Sequence, residues 1–168
     1  MDKLWAPWRA KYITVDLKKK RGCVFCKILK EKKDIRNYII SRRKHCYAVF
    51  NIYPYNNGHL LIVCNRHVSD LSDLKQEEKH ELFGLLEEMK DLLDKTMHPG
   101  GYNVGINLGR TAGAGFPGHL HVHLVPRWHG DVNFMPVIGH TKVISQSLNV
   151  LYKKLTDENK TRHRKTRG

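Results

Sequence analysis

An α+β domain is expected from three features of this 168-residue chain. Five short segments are rich in branched and aromatic residues, one long segment repeats apolar residues at three-to-four spacing, and one of the short segments alternates histidine with aliphatics. Short apolar runs bounded by turn residues read as strands, and the long periodic run reads as a helix. The length suits one compact domain with a proper core.

Taken in order, residues 1–22 are irregular, yet Trp5-Ala-Pro-Trp-Arg9 is aromatic enough to pack on the domain or on a partner subunit. Cys23 and Cys26 form a Cys-x-x-Cys pair leading into a short helical turn ending near Lys30. Tyr38–Ile40 and Cys46–Asn51 are expected strands. Pro54-Tyr-Asn-Asn-Gly58 is a turn by its Asn and Gly content. His59–Val63 is apolar enough for burial on both faces, except where His59 emerges. The longest helix is expected from about Ser72 to Met97, with a stripe through Leu74, His80, Leu82, Phe83, Leu85, Leu86, Met89, Leu92 and Leu93. Ser72 and Asp73 suit its cap, Gly84 lies inside it where a straight course is least favoured, and Pro99-Gly-Gly101 ends it. Tyr102–Asn107 is a fourth strand. A glycine-rich loop, Gly109 to Gly118, then delivers the chain to a fifth strand, His119–Val125. A last helix is expected over about Lys142–Lys154. The domain is thus placed at 1–155, with a flexible basic tail at 156–168.

The fifth strand carries the strongest chemical signal. His119, His121 and His123 alternate with Leu120, Val122 and Leu124. Successive strand side chains point to opposite sides, so the histidines share one face, about 6.5–7 Å apart. That spacing lets neighbours act on one phosphate or one metal ion. Metal ligation and nucleophilic or acid–base chemistry are both open to imidazoles so placed. The preceding loop either brings backbone amides close to an anion or simply connects two strands.

Composition narrows the classes. The chain is 40% hydrophobic and 27% charged, as in an ordinary soluble globule. No apolar run approaches the ~20 residues of a membrane helix. The N-terminus lacks the apolar core of a signal peptide, so a cytoplasmic address and no membrane partner are expected. The net charge of +14 favours anionic substrates or describes solvated faces. No zinc-finger or single-strand RNA motif of the usual spacing is present, which disfavours nucleic acid as a partner. A cytosolic Cys-x-x-Cys pair reads as metal-binding or redox-active before it reads as a structural disulfide.

The run His119-Leu-His-Val-His-Leu-Val125 resembles the signature of the histidine-triad (HIT) superfamily. Ala48-Val-Phe-Asn51, Gly58-His-Leu-Leu-Ile-Val63 and Arg66-His-Val68 resemble its upstream strands in order and spacing. Leu4-Trp-Ala-Pro-Trp-Arg9 and the segment from Val125 to Val137 resemble a microbial branch of diadenosine tetraphosphate phosphorylases and hydrolases. The resemblance implies an antiparallel sheet of about five strands with two main helices, and a homodimer in which the two sheets run together. It implies nucleotidyl transfer or hydrolysis on diadenosine polyphosphates through a nucleotidyl-histidine intermediate. Nucleoside phosphoramidase activity and nucleotide binding with little turnover are the alternatives.

On these residues the resemblance makes His121 the nucleophile, with His123 assisting at the phosphate. It places Asn51, His59, Asn107 and His119 around the substrate, and the backbone of Gly113, Ala114 and Gly115 at its phosphates. Relatives often carry Gln or Ser shortly before the first histidine. Here Gly113-Ala-Gly-Phe-Pro-Gly118 offers no donor side chain, so backbone amides or another segment must hold the leaving phosphates. In relatives, a Cys pair is completed by two histidines into a structural zinc site. The matching residues here are Cys23, Cys26, His67 and His119. No organic cofactor is expected, and inorganic phosphate joins water as a candidate acceptor.

Overall fold

The computed structural model describes residues 22–133, 138 and 143–165, with side chains to residue 162 in the last helix. The expected packing of Trp5–Arg9 lies outside the described residues, as does the segment 134–137. In chain order the elements are α1 (Val24–Glu31), α2 (Asp34–Asn37), β1 (Ile39–Arg42), β2 (Cys46–Phe50), β3 (Leu60–Cys64), α3 (Gln76–Met97), β4 (Gly101–Ile106), β5 (His121–Arg127) and α4 (Leu148–Lys165). The strands form one sheet in the order β1-β2-β3-β5-β4, and every neighbouring pair is antiparallel.

The centre of this sheet is buried on both sides, which is why β2 and β3 are nearly apolar throughout. On one face, Ala48, Leu60, Ile62, Val122 and Leu124 pack against Leu82, Leu85, Met89 and Leu92 of α3 and Leu151 and Leu155 of α4. On the other, Tyr47, Val49, Leu61 and Val63 pack against Phe25 of α1. β5 lies across both layers. Its aliphatics enter the larger core, and its histidines face the α1 side.

Several boundaries differ from expectation. α3 begins at Gln76, not Ser72. Asp70 accepts the Ser72 amide and caps a separate short turn, Leu71–Asp73, after which Leu74 is extended. The helix proper starts where the Glu78 carboxylate accepts the Lys75 amide at 2.8 Å. Arg66 also binds that carboxylate and holds it down at about 2. Gly84 leaves α3 uninterrupted. β5 starts at His121, because the Leu120 amide donates to the Val68 carbonyl and the His119 amide closes a turn onto Phe116. α4 runs from Leu148 to Lys165, where Lys142–Lys154 followed by a flexible basic tail was expected. Leu155 and Asn159 are buried on its inner face, the Asn159 amide donates to the Ile40 carbonyl, and Arg162 reaches the Glu88 carbonyl. The basic composition hid this apolar and polar docking face.

Gly58 fixes the turn that delivers His59. Its φ is +71°, and an added Cβ would meet Met97 Sδ at 2.8 Å, Leu93 at 3.2 Å and Pro126 at 3.2 Å. Strained backbone and overpacking act together here. Gly58→Ala is expected to cost about 1–3 kcal/mol, read from urea unfolding midpoints.

Candidate active site and metal site

The α1-facing surface of β5 is positioned by register. His121 pairs with Val63 and His123 with Leu61 across β3. Both imidazoles are buried, at 6% and 8% exposure, with ring centroids 5.0 Å apart. The alternation expected from the sequence therefore produces one histidine face in the folded chain.

Backbone hydrogen bonds assign the protons. His121 Nδ1 lies 2.8 Å from the His119 carbonyl oxygen. A carbonyl oxygen only accepts, so Nδ1 carries the proton and Nε2 keeps its lone pair. Burial lowers the His121 pKa, which favours this neutral form.

A second chain of bonds leads to His123. The Tyr55 amide donates to His59 Nδ1 at 3.0 Å, and Asn51 Nδ2 lies 3.3 Å from the same nitrogen. His59 Nδ1 is thus an acceptor, and its proton sits on Nε2. That nitrogen is 2.9 Å from His123 Nδ1, which accepts. The remaining proton of neutral His123 falls on Nε2, a buried atom with no hydrogen-bond partner among the described residues. Burial, with His121 beside it, pushes the His123 pKa down to about 4. One imidazole therefore offers a lone pair and its neighbour an N–H. Together they can attack a phosphorus and hold one of its oxygens.

Asn51, His59, His121 and His123 are brought together as expected. Asn107 lies one residue past Ile106, which pairs with Val122, so it follows the strand end flanking the site. The glycine loop reaches the site through Phe116, whose ring meets Phe25 at 5.5 Å. Within the loop, the Gly113 amide donates to Arg110 and the Ala114 amide to Gly109. Those two amides are occupied in closing the loop, which leaves the Gly115 amide as the one of the expected set not used in these backbone bonds.

His119 turns toward a different cluster. Its Nε2 lies 2.8 Å from the Cys64 carbonyl oxygen, so Nε2 donates and Nδ1 keeps its lone pair. Nδ1 faces Cys23 Sγ at 3.2 Å, Cys26 Sγ at 3.6 Å and His67 Nδ1 at 3.3 Å, and Cys26 Sγ lies 3.5 Å from His67 Nδ1. These four donors lie within 4.8 Å of one another and form a group able to hold a metal ion.

Two residues of the site escaped the sequence reading. Phe25, between the two cysteines, packs on His119 and His121 at centroid distances of 5.4 and 5.0 Å. Its position inside the Cys-x-x-Cys pair was the available signal. Tyr55 stacks on His123 with 5.5 Å between centroids and 10° between planes. Nothing in a turn rich in Asn marks one of its tyrosines as facing a histidine.

Residues 32–130 match the family model described as HIT domain. A Mycobacterium tuberculosis protein named AP-4-A phosphorylase is 40% identical over 155 residues, covering 88% of this chain and 79% of that one. A Schizosaccharomyces pombe protein named as the asymmetrical bis(5'-nucleosyl)-tetraphosphatase is 32% identical over 97 residues, covering 58% of this chain and 53% of its own length. Among solved structures, a zinc-bound histidine triad family protein from Mycobacterium smegmatis shares the fold, with a TM-score of 0.68 and 22% identity over 84% of this chain and 96% of that one. No helix among the described residues is long and apolar enough to cross a membrane.

Proposed function

The chain belongs to the HIT domain family, and from that membership and the lone pair on His121 Nε2 we propose that it cleaves diadenosine tetraphosphate by phosphorolysis. The observation that carries this reading is the hydrogen bond from His121 Nδ1 to the His119 carbonyl, which leaves Nε2 as the nucleophilic nitrogen. Nε2 attacks the α-phosphorus of one adenylyl end, a nitrogen–phosphorus bond forms, and the bond to the bridging oxygen breaks, releasing ATP. Inorganic phosphate then attacks the adenylyl-histidine, the nitrogen–phosphorus bond breaks, and ADP leaves. Splitting the displacement in this way replaces one difficult step with two easier ones. His123 Nε2–H holds a non-bridging oxygen as charge builds on it. Asn51 and His59 keep that N–H in place, His59 directly and Asn51 through His59 Nδ1. The Gly115 amide and Asn107 are assigned to the phosphates.

Phosphate is preferred to water as acceptor because the 40% identical relative spans most of the chain and is named a phosphorylase. Product analysis tests this. ATP plus ADP formed only when phosphate is added is the expected result. ATP plus AMP, or ADP alone, independent of phosphate, would instead make the chain a hydrolase.

The four-donor cluster is assigned to zinc. A tetrahedral Cys₂His₂ zinc site has Zn–S near 2.3 Å and Zn–N near 2.05 Å, which sets donor separations of about 3.3 Å between nitrogens and about 3.6 Å between nitrogen and sulfur. Four of the six donor separations, Cys23–His119, Cys26–His67, Cys26–His119 and His67–His119, lie at 3.2 to 3.6 Å and match those values, and all six lie within 4.8 Å. With four protein donors the ion is structural and offers no position to substrate. Cys23 and Cys26 would tie α1 to the sheet, and with it Phe25 to His121. The active form is assigned as a homodimer joined along the β4 edge, whose Val104 is exposed.

The low His123 pKa has a pH consequence. Free histidine titrates near 6.5, and the folded value is about 4. Between those values the unfolded chain binds a proton that the folded chain does not. Stability is therefore full above about pH 6.5 and declines as pH falls toward 4. The acid limb of kcat/KM, which reports the free enzyme, is expected well below 6.5. A limb at 6.5 would contradict burial as the controlling influence.

A further inference from the structure

The turn between β2 and β3 does more than connect strands. Asn56 Nδ2 donates to the Pro126 carbonyl at 3.0 Å and to the Asp131 carboxylate at 2.7 Å. Asn57 Nδ2 donates to Ser145 Oγ at 2.7 Å. These bonds anchor the turn on both sides, and Tyr55 stands immediately before them. Its ring lies parallel to His123 and tilted against His59, at 4.7 Å from the latter. Its amide meanwhile supplies the proton that makes His59 Nδ1 an acceptor.

Resting on the proposed adenylyl transfer, we propose that Tyr55 is a positioning residue for that reaction, its ring holding the His123 imidazole so that Nε2–H stays available to the reacting phosphate. Among the described residues, three groups face His123. His59 precedes β3 and donates to its Nδ1, His121 stands on the same strand, and Tyr55 covers it from the turn. His59 is fully buried and His121 nearly so, whereas Tyr55 is 42% exposed. Of these three groups, the tyrosine is the one that reaches solvent. A flat ring stacked at 10° fixes the plane of the imidazole, which a hydrogen bond at one nitrogen alone leaves free to rock. The hydroxyl has no part in this role.

The test compares Tyr55→Phe with Tyr55→Leu and Tyr55→Gln, which keep bulk but lose the ring. Tyr55 is partly exposed, so all three are expected to fold, and thermal melts verify it. The first readout needs no substrate: NMR titration of the His123 imidazole in the free protein. Tyr55→Phe is expected to titrate as the parent does. Tyr55→Leu and Tyr55→Gln are expected to move the His123 midpoint upward by about one pH unit as water reaches the ring. That shift supports the positioning role whether or not diadenosine tetraphosphate is turned over, so failure of the function and failure of this inference are separable. The second readout is steady-state kinetics, where the leucine variant is expected to lose kcat by about tenfold or more with KM little changed. An unmoved His123 titration in both ringless variants would overturn the proposal. So would a loss in Tyr55→Phe as large as that in Tyr55→Leu.

Discussion

His121→Ala is expected to lower kcat/KM for diadenosine tetraphosphate by at least about a thousandfold, equivalent to roughly 4 kcal/mol of transition-state stabilisation. Nucleotide affinity, measured calorimetrically with AMP, is expected to stay within a few-fold. The asymmetry follows from geometry. The residue supplies a lone pair aimed away from its backbone bond, while Asn51, His59 and His123, proposed to hold the nucleotide, keep their mutual hydrogen bonds. Neither His119 nor His123 can replace it. His119 donates from Nε2 to Cys64 and turns Nδ1 toward the cysteines, and His123 presents an N–H rather than a lone pair. Activity retained within tenfold would show that another group attacks.

Removal of the zinc assigned to the four-donor cluster is expected to have the largest effect on stability. A structural ion binds the folded chain and leaves the unfolded chain without a formed site, so its binding energy adds to folding. Cys26→Ser, or prolonged chelation of the parent protein, is expected to lower Tm by roughly 10 °C or more, taking 2–4 °C per kcal/mol for a chain of this size. Metal analysis of the parent should return about one zinc per chain. The effect should also reach activity. Phe25, held between Cys23 and Cys26, covers the rings of His119 and His121. The His119 carbonyl that orients His121 belongs to a residue whose ring is itself a donor. Protein freed of metal by chelation that melts at the same Tm as the parent would argue against the site.

The fold and the site were legible in the sequence to different degrees. Strands announce themselves when both faces are buried, so Cys46–Phe50 and Leu60–Cys64 could be read nearly to the residue. The histidine face of β5 was legible because alternation of imidazole with aliphatics has one geometric meaning in a strand. Boundaries set by side-chain caps were harder. Asp70 and Glu78 compete for the start of α3, and only the contact of Glu78 with Arg66 shows which wins. α4 was misread because Lys153, Lys154 and Lys160 dominate the composition of a helix whose inner face carries Leu151, Leu155 and Asn159. Within the site, residue types with a known chemistry could be named in advance. Proton positions could not, since they depend on which carbonyl or amide each ring meets. The stacking of Tyr55 and the cover of Phe25 are likewise properties of packing, invisible in spacing alone.

The central claim is that His121 Nε2 forms a bond to the α-phosphorus. Rapid quenching of the protein with diadenosine tetraphosphate in phosphate-free buffer, followed by peptide mass spectrometry, tests it directly. The account predicts an acid-labile adenylyl group on the peptide containing His121, absent in His121→Ala. An adenylyl group on a different residue, or turnover with none detectable at any quench time, would contradict it.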